Sequence, residues 1–217
     1  MLRPVQLTKE QRRLYNELRD LLISQLETGE IVTADQAVVK LLRLQQIVCG
    51  HLKDAEGVVH RLPSNRAEEA LAVANQSSDK VVIWARFHAD IDILMEAFAP
   101  WNPVQYDGRV KSEQRRDNKD RFINDPACGA FIANQAAGGT GTDGLQRASH
   151  TAIYYSNSFK AVDRWQAHGR LVRDGQRYAV NNIDLVAKGT VDTYILRILG
   201  MRQDIANSAL TISRGDL

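Results

Sequence analysis

Residues 166–176 read QAHGRLVRDGQ. Two arginines, Arg170 and Arg173, stand three positions apart, with Gln166 and Gln176 at the ends and Gly169 and Gly175 close beside them. A guanidinium is always charged and grips phosphate oxygens through parallel N–H groups. If a helix persisted through the stretch, both arginines would lie on neighbouring positions of one face. Spacing alone favours a pair of surface arginines; the flanking glycines and glutamines make that reading hard to hold. A second stretch, NQAAGGTGTDG over 134–144, places Gly138, Gly139, Gly141 and Gly144 where backbone amides can approach a phosphate with no Cβ in the way. Thr140 and Thr142 add hydroxyls, and Asp143 offers an acceptor for a ribose hydroxyl or an arginine. Without further support, a flexible turn explains this loop as well as a phosphate cradle does. No Lys-Ser or Lys-Thr follows the glycines, so it is not a phosphate-gripping P-loop. A third stretch, ARFH at 85–88, contributes Arg86 and His88.

These stretches need elements to hold them. From Lys80 onward the chain alternates short apolar runs with helical patterns. KVVIWA, VQY, GAFIAN, TAIYYS and YAVNNIDLVA read as strands, and HADIDILMEAF, SEQRRDNKDRFIND, KAVDRWQAHGR and TVDTYILRILGMRQDIANSAL as helices. Connections of this length imply parallel pairing, hence an α/β fold with a doubly wound, mostly parallel sheet. In such a sheet, ligands bind beyond the carboxyl ends of the strands, where all three stretches fall. Residues 1–76 read as a helical extension. TKEQ at 8–11 and TADQ at 33–36 fit the capping-box pattern. Leu14, Leu18, Leu21 and Leu22 mark one apolar face, and Val38, Leu41, Leu42, Leu44 and Val48 another. Ser64 is the expected cap of a third helix. The expected organisation is 1–76 helical extension, 77–210 α/β lobe and 211–217 tail.

The chain has 217 residues, a net charge of +2 and 44% hydrophobic content, enough for one sizeable core with an appendage. A charge this near neutral does not announce a nucleic-acid binder, so local clustering must carry that argument. One cluster, RVKSEQRRDNKDR at 109–121, holds six basic and three acidic residues and fits either a DNA-backbone surface or a solvated helix face. Cys49 and Cys128 form no CxxC pair, and the five histidines show no metal spacing, so no metal site is expected. No apolar run approaches a membrane span, and the first residues lack the apolar core of a signal peptide. These features fit a cytoplasmic protein with no membrane partner.

The 166–176 stretch resembles motif VI of the SNF2 family within helicase superfamily 2, Gln-Ala-x-Gly-Arg-x-x-Arg-x-Gly-Gln, at every fixed position. AAGGTG at 136–141 is similar to that family's motif V, and KVVIWARF at 80–87 to its motif IV. LLRLQQIVCGH at 41–51 is similar to the Leu-rich segment that precedes the second lobe. The order and spacing are those of the second, C-terminal RecA-like lobe of these motors. The loop TDGLQRASH is longer than the family's usual form, and SNSFKAVDRW lacks the proline common after the motif V strand.

The resemblance implies one half of an ATP-dependent DNA translocase or remodeller. Arg170 and Arg173 would be arginine fingers directed at ATP held on a first lobe. Gln166, Gly169, Asp143 and Gln176 would lie at the nucleotide. Arg86, His88, Gly138, Gly139, Thr140 and Gly141 would lie at the DNA backbone. The implied partners are duplex DNA and an N-terminal RecA-like lobe, and the implied cofactors of the full-length protein are ATP and Mg²⁺. No GxxxxGK[ST] and no Asp-Glu-x-His segment occurs in the chain, so this lobe alone is expected to bind neither and to be inactive. The alternative is a non-enzymatic RecA-like module that binds DNA or protein. An RNA-helicase lobe fits less well, because Gln166-Ala167 stands where those families carry His-Arg.

Overall fold

Val81–Ala85 (β4) is buried at every position, as a β-branched run must be when helices cover both faces of a sheet. Its alternate side chains serve two different cores. Val81, Ile83 and Ala85 face one cluster, and Val82 and Trp84 face the other. The computed structural model describes residues 1–27, 33–136 and 142–201, without the side chains at 26, 27 and 34. Motif V residues 137–141, the end of the closing helix and the 211–217 tail lie outside the described residues.

The elements run β1 (Leu2–Pro4), α1 (Lys9–Glu27), α2 (Ala34–Cys49), β2 (His51–Lys53), β3 (Val59–Arg61), α3 (Arg66–Ala74) and β4. There follow α4 (His88–Ala97), β5 (Val104–Tyr106), α5 (Ser112–Asn124), β6 (Ala130–Asn134), β7 (Thr151–Tyr154), α6 (Ala161–His168), β8 (Asn181–Val186) and a closing helix described over 191–201. Six strands form one sheet in the order β1-β8-β7-β4-β6-β5, and every pairing is parallel. The doubly wound α/β reading holds. Helices α3 and α4 cover one face, through Ala70, Val73, Ile91 and Leu94. Phe122 of α5, Leu145, Ala167 of α6 and Leu171 cover the other. A third cluster joins α1 and α2 to the closing helix through Tyr15, Leu44, Val48, Val191 and Ile195. No helix among the described residues is long and apolar enough to cross a membrane.

Both capping boxes form. Thr8 accepts from the Gln11 amide and Gln11 reaches back to Thr8, as Thr33 and Gln36 do at α2. Four expectations need correction. The segment before α1 contains a strand, β1, pairing with β8 at the sheet edge; three residues carry too little periodicity to be read, and Pro4 is tolerated only because the strand is an edge. The segment after α2 folds as the β2–β3 hairpin. The N-cap position of the third helix is Asn65, one residue beyond Ser64; the Asn65 side chain makes no capping bond, and Ser64 Oγ accepts from the Arg66 amide at 3.3 Å. Leu21 and Val38 are solvent-exposed, because the distal ends of α1 and α2 project past the core that Leu14, Leu18 and Leu44 reach.

Arg66 ties the extension to the sheet. Its buried guanidinium donates to the Tyr155 and Leu185 carbonyls and to Asp192, at 2.7 to 2.8 Å. His51, the first residue of β2, bonds Asp90 at 2.9 Å, and Ser156 donates to the same carboxylate at 2.5 Å. The extension, α4 and the end of β7 therefore share one buried polar contact.

Candidate functional site

Two chain segments cross the same face of the sheet side by side. One leaves the carboxyl end of β6, passes Asp143 and a 3-10 turn at Leu145–Arg147, and enters β7. The other leaves the carboxyl end of β7, forms α6, and turns through Arg170 to Gln176 before β8. Leu145 from the first and Ala167 and Leu171 from the second are fully buried in one cluster. Polar bonds join the rest. Gln146 Nε2 donates to the Asp174 carbonyl at 3.2 Å, and Gln176 Nε2 to the Ser149 carbonyl at 3.0 Å.

This arrangement brings Asp143, Arg170 and Arg173 together. Arg170 Nη1 donates to Asp143 Oδ1 at 2.7 Å, and Arg173 Nη1 donates to the same oxygen. The helix does not carry the arginines: it ends two residues short of Arg170, although the pattern KAVDRWQAHGR reads as helical. α6 stops at His168, and the chain passes into turns that include Gly175 at φ +90°. The shared carboxylate, not helical register, aligns the two guanidiniums. Burial acts to raise the Asp143 carboxyl, but the hydrogen bond and charge of Arg173, joined by Arg170, hold it below the usual carboxylate range. Asp143 stays mostly exposed. The cluster is therefore a surface station where two fixed cations meet one anionic oxygen, which is also the requirement for holding a phosphate oxygen.

The other candidate residues are placed differently. Gln166 and Gly169 are exposed on and just past α6. The Gln176 carboxamide is engaged within the lobe, donating to Ser149 and Leu171 carbonyls and accepting from the Arg177 and Tyr178 amides. Arg86, just past β4, lies between the Phe87 and Phe159 rings and donates to Gln45 Oε1 at 2.8 Å. Burial draws its guanidinium below the usual arginine range. His88 is exposed and lines an open cavity of about 660 Å³ between the β2–β3 hairpin and the start of α4, together with Lys53, Arg61 and Arg109. Gly138, Gly139, Thr140 and Gly141 lie outside the described residues.

Sequence reasoning missed a buried polar group between the carboxyl ends of β6 and β7 and the middle of β8. Arg164 of α6 forms a two-point ion pair with Asp184, at 2.5 and 3.0 Å, and its guanidinium stacks on the Tyr154 ring. Burial pushes the Tyr154 phenol up to about 12, with Arg164 pulling against it. Asn157 and Gln135 complete the group. A signal for it existed in an aspartate inside the otherwise uncharged strand NNIDLVA.

No family model matches the chain. It is 22% identical over 212 residues to an uncharacterised ATP-dependent helicase of Mycoplasma pneumoniae, covering 95% of this chain and 20% of that protein. It is 27% identical over 213 residues to the TATA-binding protein-associated factor mot1 of Aspergillus fumigatus, covering 95% and 11%. The chain thus spans a fifth or less of these relatives. Among solved structures, the Sulfolobus solfataricus SWI2/SNF2 ATPase C-terminal domain superposes with a TM-score of 0.66 at 20% identity, covering 94% of this chain and 85% of that one. The core of a Sulfolobus solfataricus SWI2/SNF2 ATPase in complex with dsDNA gives 0.68 at 22% identity, covering 94% and 44%.

Proposed function

From its homology to SNF2-family helicases and ATPases, whose C-terminal RecA-like fold it carries, we infer that this chain is the finger-bearing lobe of a DNA-dependent ATPase. The observation that carries this reading is the convergence of Arg170 and Arg173 on one Asp143 oxygen. Two guanidiniums held on a single carboxylate oxygen are preorganised for a phosphate oxygen of similar size and charge. ATP would supply the phosphoryl group and sit with Mg²⁺ on an N-terminal lobe, in the same polypeptide or a separate subunit. On closure, Arg170 and Arg173 transfer from Asp143 to the phosphate and neutralise the charge that develops on it. Arginine suits this role because its planar fork stays charged and loses little freedom when it binds. Asp143 then becomes the counter-charge that keeps the pair aligned when the cleft is open.

Duplex DNA is the proposed second substrate. His88, the glycine loop and the basic face of α5 supply backbone contacts, in which affinity comes from charge and not from base reading. On α5, Arg116 is exposed to solvent, while Arg115 packs over the Tyr106 ring and Arg121 pairs with Asp125 at 3.6 Å. Arg86 serves by holding the strand-end loop through Phe87, Phe159 and Gln45. The test is ATP turnover by a polypeptide joining this lobe to its N-terminal lobe, with and without duplex DNA. Turnover stimulated by duplex is the expected result. Turnover absent in both conditions, with duplex still bound, returns the chain to a non-enzymatic binding module.

A further inference from the structure

Asn157 sits in the connection from β7 to α6 and is almost fully buried, yet it has no place in the phosphate chemistry above. Every polar atom that its side chain offers is engaged, and each bond goes to a different element. Its Oδ1 accepts from Gln135 Nε2 at 3.1 Å and from Arg164 Nη1 at 2.9 Å. Its Nδ2 donates to Asp184 Oδ1 at 2.9 Å, and its backbone carbonyl accepts from Gln45 Nε2 at 2.8 Å. Gln135 in turn accepts from the Ser158 amide at 3.0 Å and stands just before the glycine stretch. Gln45 holds Arg86, and Asn134 donates to the Arg86 carbonyl at 2.6 Å. Gln135, Asn157, Asp184 and Gln45 are each at most 7% exposed, so these bonds act with little competition from water.

We propose that Asn157 is the positioning residue that locks helix α6, which leads into the turn carrying Arg170 and Arg173, through Arg164, to Gln135 just past the end of β6. The proposal rests on the finger reading for its functional consequence and on Asn157 geometry for its structural one. A carboxamide is the side chain this position needs. Its oxygen takes two donors while its amide faces the Asp184 carboxylate. Aspartate is the same size but loses that donor and sets two carboxylates together. Without Asn157, α6 keeps the Arg164–Asp184 pair but loses its link to Gln135. The distance from Gln135, just past β6, to Arg170 and Arg173 is then no longer fixed.

The test uses Asn157→Ala and Asn157→Asp, with two readouts. In this chain alone, hydrogen exchange is expected to speed up in α6 and the 170–176 turn, while β4 and α3 keep wild-type protection. In the two-lobe polypeptide with duplex DNA, kcat is expected to fall by about 10- to 100-fold, with unchanged ATP KM and unchanged DNA affinity. A general loss of structure would instead loosen β4 as well. If both variants fail to fold, Gln135→Met removes the same link from its other end and is read in the same way. Wild-type exchange in α6 together with wild-type kcat overturns the proposal. If the wild-type two-lobe protein hydrolyses no ATP, the finger reading fails, and the exchange result alone decides whether Asn157 fixes α6.

Discussion

Arg170 and Asp143 are 27 residues apart in sequence and 2.7 Å apart in space, and Arg173 binds the same carboxylate oxygen. Each comes from a separate crossover on one face of the sheet. Their meeting follows from the packing of Leu145 against Ala167 and Leu171 beneath them. The contact turns two arginines that spacing could not distinguish from surface charge into a pair with a defined target.

The Asp143 carboxyl should titrate below the usual carboxylate range because Arg173 and Arg170 outweigh its slight burial. A depressed carboxylate contributes stability that is fully present above its unfolded value of about 3.9 and is lost as pH falls through the folded value. The cluster is therefore predicted to be unchanged between pH 5 and 8 and to open only in acid. Carbon NMR of the Asp143 carboxyl checks this. The titration should move up in Arg173→Ala; an identical curve in both proteins would mean that the ion pair does not exist in solution.

Arg66→Ala should lower stability by about 3–5 kcal/mol, the range for removing one partner of a buried ion pair. The change leaves Asp192 charged and buried, and the Tyr155 and Leu185 carbonyls without their donor. Urea denaturation measures it. A loss within experimental error would show that the extension does not depend on this tie to the sheet.

Cys49 and Cys128 are both fully buried, and burial pushes both thiols up from their ordinary value. A thiolate reagent should therefore find neither cysteine in the folded chain and both in denaturant. Rapid modification of Cys49 in native buffer would place the α2–β2 junction in contact with water.

The parallel sheet was legible because β4, β6 and β7 are continuous apolar runs separated by helix-length connections. The capping boxes at Thr8 and Thr33 were legible because they are local. What escaped is non-local or short. β1 is three residues long and is defined by β8, which lies almost the whole chain away. Asn157, Gln135 and Arg164 look unremarkable in sequence and gain meaning only where the ends of β6 and β7 meet Asp184 of β8. Motif VI singled out Arg170 and Arg173, and Asp143 could be read as an acceptor for a ribose hydroxyl or an arginine, but the turn that presents the arginines and the single carboxylate oxygen on which they meet depend on the packing of two separate crossovers. The Arg86 side chain, read as an open phosphate contact, is placed between two rings, which no spacing rule foretells.

The measurement that bears most directly on the central claim is single-turnover ATP hydrolysis by the two-lobe polypeptide on duplex DNA, comparing wild type with Arg173→Ala at saturating ATP. An arginine finger is worth about 10³-fold or more in related phosphoryl-transfer enzymes. The account predicts a loss of that order with ATP binding retained. Turnover equal to wild type would contradict it and return Arg170 and Arg173 to the status of surface charges paired with Asp143.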